Sequence, residues 1–435
     1  MTPETKTPVD RRATDLARYR AVRDWTEHIV APLEIEDRVV QTMPDVSPTK
    51  WHLAHTSWFF ETFLLTPHLP GYRSPRPEFE SLFNSYYNSV GTPFHRPSRG
   101  TLSRPTVAEV DAYRAAVDEG MTRWIEAGHL DDPSLRTIFE TGLQHEQQHQ
   151  ELIVTDLKHV LAANVLEPVY RARSRTPATE PAPLGWVPFD EGIRSIGVPA
   201  AGLPDGAFTF DNERATHRVF LESFELATRP VTAGEFIDFI EDGGYRTHSL
   251  WLSDGWSRVA EERWEAPLYW RKDDGAWTQF TLSGRRPVDR AEPVVHISHF
   301  EADAFARWAG HQWVGARLPT EFEWEVAAGG LPVAGRFADT ELFHPAPAEA
   351  AAPDRLVQMF GDVWEWTASP YTAYPGFRTA DGALGEYNGK FMSGPMVLRG
   401  GSIASPPGHL RATYRNFWHP STRFQFAGLR LARSR

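Results

Sequence analysis

The sequence predicts an α+β protein of two domains, in which long helices precede a region of short strands and turns. The chain has 435 residues, more than a single hydrophobic core usually organises. Helical periodicity dominates residues 1–170, whereas apolar runs become short and Gly, Pro and Trp become frequent in residues 185–435. Residues 171–184 (RARSRTPATEPAPL) are polar and rich in proline, and we interpret them as a linker.

Composition and charge argue against several classes of protein before any motif is considered. Hydrophobic residues make up 41% of the chain and charged residues 23%, as in ordinary globular proteins. The formal net charge of -12 argues against a nucleic-acid-binding protein and against a polybasic membrane anchor. No apolar run approaches the roughly 20 residues that cross a bilayer. The polar N-terminus lacks the apolar core of a signal peptide, which predicts a cytoplasmic protein.

The absence of cysteine limits the available chemistry. Disulfides, cysteine-based zinc sites and thiol nucleophiles are excluded. A metal site in this chain would have to use histidine, carboxylate or backbone oxygen ligands.

Four long helices are predicted in the first domain. They cover residues 11–30, 47–65, 106–128 and 132–163. The second opens with Ser-Pro, the third with a TVAE capping box and the fourth with Asp-Pro-Ser, all of which are helix-start signals. Four such helices favour a bundle. The proline-rich loop over residues 66–105 is long enough to indicate a functional role.

The second domain has a different pattern of apolar residues. Short apolar runs separated by turn residues alternate with brief helical patterns, of which residues 232–244 and 298–310 are the clearest. No internal repeat is visible. This pattern predicts a mixed domain with much irregular structure.

The fourth helix carries the stretch LQHEQQHQEL, residues 143–152. At 100° per residue, His145 and His149 share a stripe with Gly142, Leu152 and Asp156 on the side that faces the core. Their i, i+4 spacing sets two imidazoles side by side, as a metal chelate requires. Hydrogen-bonded core histidines are the alternative, but that explanation suits a lone buried histidine better than a pair.

The third ligand is not expected within this motif. Glu151 follows His149 by two residues, about 200° round the helix, so it cannot join both histidines on one ion. The best donor is WHLAH, residues 51–55, in the second helix. Its two histidines, His52 and His55, roughly share a face. Spacing alone leaves open which is the ligand and which has a supporting role.

These two motifs together, SPTKWHLAH and HEQQHQE, resemble the iron-dependent sulfoxide synthases of ergothioneine biosynthesis. That family joins a DinB-like four-helix bundle to a domain that is similar to formylglycine-generating enzymes and has a C-type-lectin-like fold. The second half of the chain resembles that domain in four motifs: ARLPTEFEWEVAAGG (316–330), GDVWEWTAS (361–369), VLRGGSIAS (397–405) and FAGLRLAR (426–433). The resemblance therefore covers nearly the whole chain and implies this α+β fold.

The resemblance implies an iron site on His55, His145 and His149. Three neutral imidazoles on Fe(II) leave open positions for two substrates and for O2 as co-substrate. One substrate of the family is the betaine N-trimethylhistidine (hercynine), and the matching contact positions here are Gln148, Asn416 and Phe417. An aromatic ring at 417 can support a quaternary ammonium through its π face. The alternative for 416–417 is a loop that only packs against the other domain.

The second substrate is implied to be a thiol. The motif RNFWHP (415–420) and the stretch FNSYYNSVG (83–91) resemble the subgroup that uses free cysteine rather than γ-glutamylcysteine. In that subgroup, the tyrosines matching Tyr86 and Tyr87 supply a proton or hydrogen atom near iron. Two loop aromatics that merely cover the core are the alternative, and Tyr387 is a rival donor. Arg96 and Arg99 are candidates for the substrate carboxylate, with Arg96 favoured, unless both are surface charges.

Other functions remain to be weighed. Selenoneine synthases join a selenosugar to the same betaine, and the motifs above do not separate them from sulfoxide synthases. A DinB-type thiol transferase also holds a divalent metal on three histidines, but the lectin-like half and the tyrosine loop argue against it. A formylglycine-generating enzyme needs paired cysteines, which this chain lacks. The histidine set argues against a purely binding lectin-like module. The resemblance also allows Ca2+ in the second domain, without indicating ligands.

Overall fold

The computed structural model describes residues 11–172, 183–203, 207–349, 354–380 and 385–435. The chain divides into two compact units between Val160 and Leu161. We call residues 11–160 the helical unit and residues 161–435 the mixed unit. The division lies upstream of the predicted boundary at residue 170, and most of the predicted linker 171–184 lies outside the described residues. The domain bounds 1–170 and 185–435 therefore stay a prediction.

Helices make up the regular structure of the helical unit. They are α1 (Arg11–Val30), α2 (Thr49–Phe60), α3 (Thr66–His68), α4 (Phe79–Leu82), α5 (Val107–Glu126) and α6 (Pro133–Ala163), the last ending three residues inside the mixed unit. The four long helices occur where the sequence predicts them. None of the helices in the described ranges is long and apolar enough for a membrane span.

Side-chain caps explain where two of these helices begin. The Glu109 amide donates to Thr106 Oγ1 at 3.2 Å, and Glu109 Oε2 accepts from the Thr106 amide at 2.8 Å, so the predicted capping box starts α5. Before α6, the Asp132 carboxylate accepts from the Ser134 amide at 2.8 Å. These bonds satisfy amide groups that the first turn of a helix leaves without partners.

The long loop between α2 and α5 lies against α2. A π-helical turn, Glu61–Leu65, extends α2 directly into α3, and a 3-10 turn covers Arg96–Thr101. Trp58 Nε1 donates to the carbonyl of Glu80 at 2.8 Å, and Lys50 Nζ donates to the carbonyl of Pro105 at 3.0 Å. The loop is therefore fixed to the helix that carries WHLAH.

A buried ion network fixes α6 against α1 and α5. Glu146, next to His145, accepts from Arg23 at 2.8 Å, from Arg114 at 2.8 Å and from Thr26 at 2.7 Å. Burial raises the pKa of Glu146, but the two guanidinium groups outweigh it and lower the pKa to about 2. Removing one partner of a buried ion pair costs about 3–5 kcal/mol, so this network strongly constrains how α6 sits in the bundle.

The mixed unit contains the strands. They are β1 (Trp186–Phe189), β2 (Gly192–Ile196), β3 (His217–Leu221), β4 (Phe224–Ala227), β5 (Trp270–Asp273), β6 (Ala276–Thr281), β7 (Gly284–Pro287), β8 (Ala316–Arg317), β9 (Trp364–Pro370), β10 (Met396–Arg399), β11 (Asn416–Trp418), β12 (Ala427–Gly428) and β13 (Ala432–Ser434). The sheet orders are β1-β4-β13-β8, β11-β10-β9-β12, β2-β3 and β5-β6-β7. Four helices accompany them: α7 (Ala233–Glu241), α8 (Ser253–Glu262), α9 (His299–Ala309) and α10 (Glu321–Ala328).

The motifs that carry the resemblance in this unit lie in its core. Glu365 of GDVWEWTAS accepts from Arg430 of FAGLRLAR at 2.8 Å and from the indole of Trp324 at 2.7 Å. Glu321 likewise pairs with Arg399 at 2.9 Å, and these ion-paired side chains are buried. The motifs that carry the resemblance in this half therefore hold strands and helices together, and the chemistry has to be sought elsewhere.

Candidate metal centre

Three histidines converge in the core of the helical unit. His55 comes from α2, and His145 and His149 come from successive turns of α6. One nitrogen from each ring lies within 4.8 Å of the others, and the residues are 0%, 2% and 8% exposed. The i, i+4 pair on the inner stripe of α6 thus meets a third imidazole from the neighbouring helix, as the resemblance implies.

The protons on His55 can be placed from its neighbours. Its Nδ1 lies 2.6 Å from the backbone carbonyl oxygen of Phe83, which can only accept, so Nδ1 is the donor. In a neutral ring, Nε2 then carries the lone pair, and it lies 3.1 Å from Nε2 of His145. The ring is therefore oriented with its metal-binding atom toward the cluster.

All three rings are held in the neutral form. Burial, the largest effect, lowers the pKa of His145 to about 3. Burial also lowers the pKa of His55 and of His149 well below the ordinary value, and the nearby His145 lowers each further. Neutral imidazoles are the form that binds metal, so no proton has to leave these rings at pH 7 before an ion binds.

The donor set fits a first-row divalent metal. Two nitrogens bound to one ion at about 2.1 Å and at right angles lie about 3.0 Å apart, close to the 3.1 Å that separates His55 Nε2 from His145 Nε2. A direct His145-to-His55 hydrogen bond would also give this distance, but it leaves the convergence of His149 unexplained. Imidazole ligands suit iron, zinc, copper and nickel.

Glu151 and His52 stay outside the cluster. Among the described residues, the group that could hold an ion consists of the three histidines alone. Glu151 is buried but is not part of this group. His52 is bonded instead to His149 and to Asp156, at 2.8 and 3.0 Å. The structure thus groups His55, and not His52, with both His145 and His149.

A stack of aromatic rings surrounds His55. Trp51 lies on one side with ring centroids 4.6 Å apart and 17° between planes, and Trp58 follows at 5.5 Å and 16°. Both tryptophans share the His55 face of α2 because they precede and follow it by about one turn. Such packing restricts rotation of the His55 ring.

The predicted tyrosine pair lies on the loop that touches His55. Tyr86 and Tyr87 stack with centroids 4.5 Å apart, and their hydroxyl oxygens are 3.4 Å apart. Tyr87 is buried and contacts Trp58 at a centroid distance of 5.5 Å, whereas Tyr86 is partly exposed. The Asn84 side chain holds the turn by accepting from the Tyr87 amide at 2.9 Å and donating to its carbonyl at 2.8 Å. Phe83, whose carbonyl orients His55, belongs to the same turn.

The two candidate arginines, Arg96 and Arg99, differ in burial and in their hydrogen-bond partners. Arg99 is buried, with its guanidinium carbon 3.3 Å from the ring centroid of Trp51, and it donates to Ser47 Oγ and Ser85 Oγ, both at 2.9 Å. Within the part of the chain that is described, no carboxylate forms an ion pair with it. Burial lowers the pKa of Arg99 well below its usual range, and Arg96 lowers it further. Arg96 is half-exposed and donates to the carbonyl of Asp45.

The remaining predicted residues lie in both units. Gln148 is half-buried on α6, one residue before His149. Asn416 and Phe417 belong to β11, the edge strand of its sheet, and the Phe417 ring stacks on Tyr371 at 4.0 Å and 9°. Tyr387 is buried in the mixed unit and stacks on Phe210. Whether these side chains meet a substrate of the histidine site stays a prediction.

Sequence reasoning missed two partners of the ligands. No pattern points to the Phe83 carbonyl, because a backbone acceptor carries no sequence signal. The contact between His52 and Asp156 could have been found, since Asp156 lies on the same predicted stripe of α6 as the ligands and a carboxylate on a core-facing stripe needs a partner.

Comparison with known proteins agrees with this two-unit arrangement. Residues 18–153 match the DinB superfamily, and residues 196–355 and 342–435 match the sulfatase-modifying factor enzyme 1-like domain. The hercynine oxygenase of Mycolicibacterium smegmatis is 36% identical over 423 residues, covering 90% of this chain and 92% of the relative. That of Mycobacterium tuberculosis is 36% identical over 414 residues, covering 89% and 91%. Ergothioneine biosynthesis protein 1 of Schizosaccharomyces pombe is 25% identical over 238 residues, covering 52% and 28%.

Fold and site define an oxygenase that joins a DinB-like helical bundle with three clustered histidines to a domain similar to formylglycine-generating enzymes. The predicted fold class is thereby confirmed. More particularly, the chain belongs to the hercynine oxygenase family, the sulfoxide synthases of ergothioneine biosynthesis.

Proposed function

We propose that this enzyme uses Fe(II) and O2 to join the sulfur of cysteine to the imidazole carbon of hercynine and to oxidise that sulfur. The balance is one thiol, one imidazole C–H and one O2 giving a C–S bond, a sulfoxide and one water. One oxygen atom ends on sulfur, and the other leaves with the two displaced hydrogens. The observation that carries the proposal is the buried cluster of His55, His145 and His149 beside a tyrosine pair and a buried arginine.

The histidines hold the metal in this proposal. Iron bound there would supply the one-electron chemistry that lets O2 react with closed-shell substrates. Three histidine ligands would leave coordination positions open for the substrates. The buried rings and their tryptophan neighbours exclude water, which limits wasteful oxidation of the thiol.

Arg99 is proposed to bind the carboxylate of cysteine. Its guanidinium is buried with serine hydroxyls as hydrogen-bond partners, and it lies over Trp51, which stacks directly on His55. The hydrogen-bond partners of this guanidinium are neutral, and Asp156 interacts with it only electrostatically, without an ion-pair contact. An incoming carboxylate could therefore form two parallel hydrogen bonds with it. These contacts favour Arg99, whereas the sequence favoured Arg96. Arg96 would shape the loop through Asp45.

Tyr87 and Tyr86 are proposed to deliver a proton or hydrogen atom during turnover. Tyr87 is buried and packs on Trp58, the neighbour of His55, while Tyr86 stacks on Tyr87 and reaches toward solvent. The 3.4 Å between their hydroxyl oxygens suits exchange of a proton between them. Tyr87 would act on the substrate and Tyr86 would restore its proton.

Gln148 is proposed as a hercynine contact of the helical unit, and Asn416 and Phe417 are proposed as hercynine contacts of the mixed unit. Gln148 adjoins a metal ligand and offers both an amide donor and an acceptor. The Asn416 Oδ1 accepts from the Phe417 amide at 2.9 Å, and the NH2 group of Asn416 is proposed to donate to the hercynine carboxylate. One face of Phe417 lies on Tyr371, so the quaternary ammonium would meet the other face or the ring edge.

A donor assay tests the proposed reaction. Purified protein is loaded with Fe(II) without oxygen, given hercynine with cysteine, γ-glutamylcysteine or a selenosugar, and exposed to O2, and the products are identified by mass spectrometry. The proposal predicts the hercynine–cysteine sulfoxide as the main product. Turnover with the selenosugar alone would overturn the cysteine assignment in favour of selenoneine synthesis, and thiol transfer without O2 would overturn the oxygenase mechanism. Elemental analysis of the same protein tests for bound calcium.

A further inference from the structure

A hydrogen-bonded series of three buried side chains starts at His149 of the metal-binding cluster and continues through His52 to Asp156. Nδ1 of His149 lies 2.8 Å from Nδ1 of His52, and Nε2 of His52 lies 3.0 Å from Oδ2 of Asp156. His52 and Asp156 are each 2% exposed. Two of the three groups are histidines with ambiguous protons, so the direction of each hydrogen bond has to be settled first.

The direction of each hydrogen bond follows from Asp156, which is the last member of this series. Oδ2 of Asp156 also accepts from the backbone amide of Ser47 at 2.8 Å, so this oxygen is an acceptor and His52 Nε2 must be the donor to it. A neutral His52 ring has one proton, which this contact places on Nε2. Nδ1 of His52 then has a lone pair and accepts from Nδ1 of His149. His149 is left with its lone pair on Nε2.

From this geometry we infer that His52 and Asp156 are positioning residues that fix the tautomer and ring orientation of His149, so that Nε2 is presented to the metal. The inference rests on the metal-binding role proposed for the cluster. Groups that accept from the outer nitrogen of a ligating histidine orient the ring and raise its basicity. Asp156 acts through His52, since the carboxylate itself does not touch the ligand.

The same two helices supply both the ligands and these anchors. His52 precedes His55 on α2 by about one turn, and Asp156 follows His149 on α6 by about two turns. His55 is oriented differently, by the carbonyl of Phe83 on the loop. The two ligands are therefore fixed by independent devices, and a change at His52 should disturb His149 while leaving His55 in place.

Metal affinity of side-chain variants tests the inference. His52→Phe keeps a ring of similar volume but removes both bonds. His52→Asn keeps an acceptor near the position of Nδ1 and loses the bond to Asp156. Asp156→Leu removes the far anchor. Thr155→Val is the matched control, because Thr155 is a fully buried neighbour on α6 whose hydroxyl bonds only within the helix, to the Leu152 carbonyl at 3.0 Å.

Affinity for Fe(II), and for Co(II) as a coloured substitute, is measured without oxygen by competition with a chelator, alongside the unfolding temperature of the metal-free protein. Losing an outer partner of a ligand weakens metal binding by about 10–100-fold, which we expect for His52→Phe and Asp156→Leu. We expect His52→Asn to bind more tightly than His52→Phe, Thr155→Val to bind as wild type, and the Co(II) spectrum to keep its shape in all four variants.

Two results would overturn the positioning role alone. One is a folded His52→Phe protein that binds both metals as tightly as wild type. The other is a Co(II) spectrum in His52→Phe that shows a lost nitrogen ligand, because His52 would then bind the metal directly. A wild-type protein that binds neither ion, or binds it independently of His145 and His149, would instead overturn the metal centre itself.

Discussion

Replacing Arg99 by methionine separates binding of the thiol substrate from folding. Hydrogen bonds to a charged group contribute about 1.5–3 kcal/mol, so losing the guanidinium should raise the KM for cysteine roughly 10- to 150-fold. The fold should change much less. Burying the cation costs several kcal/mol, which roughly offsets its two serine hydrogen bonds and its contact with Trp51. Methionine fills similar space without the charge.

Steady-state kinetics and thermal unfolding provide the readout. We expect Arg99→Met to raise the KM for cysteine strongly while the KM for hercynine and the unfolding temperature stay near their wild-type values. Arg96→Met is the matched control, since Arg96 is half-exposed and bonds to a backbone carbonyl. If Arg99→Met left the KM for cysteine unchanged, or if Arg96→Met raised it as much, Arg99 would not be the carboxylate site.

Three further predictions follow from the structure. Tyr87→Phe should shift the product from the sulfoxide toward oxidised cysteine more than Tyr86→Phe does, as mass spectrometry would show; identical product ratios in both variants and wild type would contradict the assignment. Burial lowers the pKa of His299 to about 4, so acid should destabilise the fold. The unfolded residue takes up a proton near pH 6.5, whereas the folded residue stays neutral. The free energy of unfolding should therefore fall by roughly 2 kcal/mol between pH 7 and pH 5. That part of the pH dependence should vanish in His299→Leu, and an unchanged unfolding curve in acid would refute it. Thr106→Ala should lower stability by about 1 kcal/mol through loss of the α5 cap, and an unaltered unfolding temperature would show that the capping box contributes nothing.

Much of the helical unit could be predicted because its signals are local. Periodicity and start signals placed the four long helices, and the capping box before α5 is present. The π-helical turn after α2 was not predicted, since it depends on how the chain packs rather than on residue preference. The order of the strands in the mixed unit could not be predicted either, because neighbouring strands such as β4 and β13 are far apart in sequence.

The histidine cluster was predictable for a similar reason. Helical spacing alone put His145 and His149 on one face and removed Glu151, while the choice between His52 and His55 needed the resemblance. The ranking of Arg96 and Arg99 could not be settled from HRPSRG, because both are arginines on one loop and only the fold buries Arg99 over Trp51. The contact of the Phe83 carbonyl with His55 depends on three-dimensional packing and has no signal in the sequence.

The central claim is that His55, His145 and His149 hold the iron at which the reaction occurs. Anaerobic titration with Fe(II), followed by O2 and both substrates, tests it most directly in wild type and in the His55→Ala, His145→Ala and His149→Ala variants. We predict one tightly bound iron per chain and sulfoxide formation in wild type, with both lost in each folded variant. Variants that retain iron and full turnover would contradict the account.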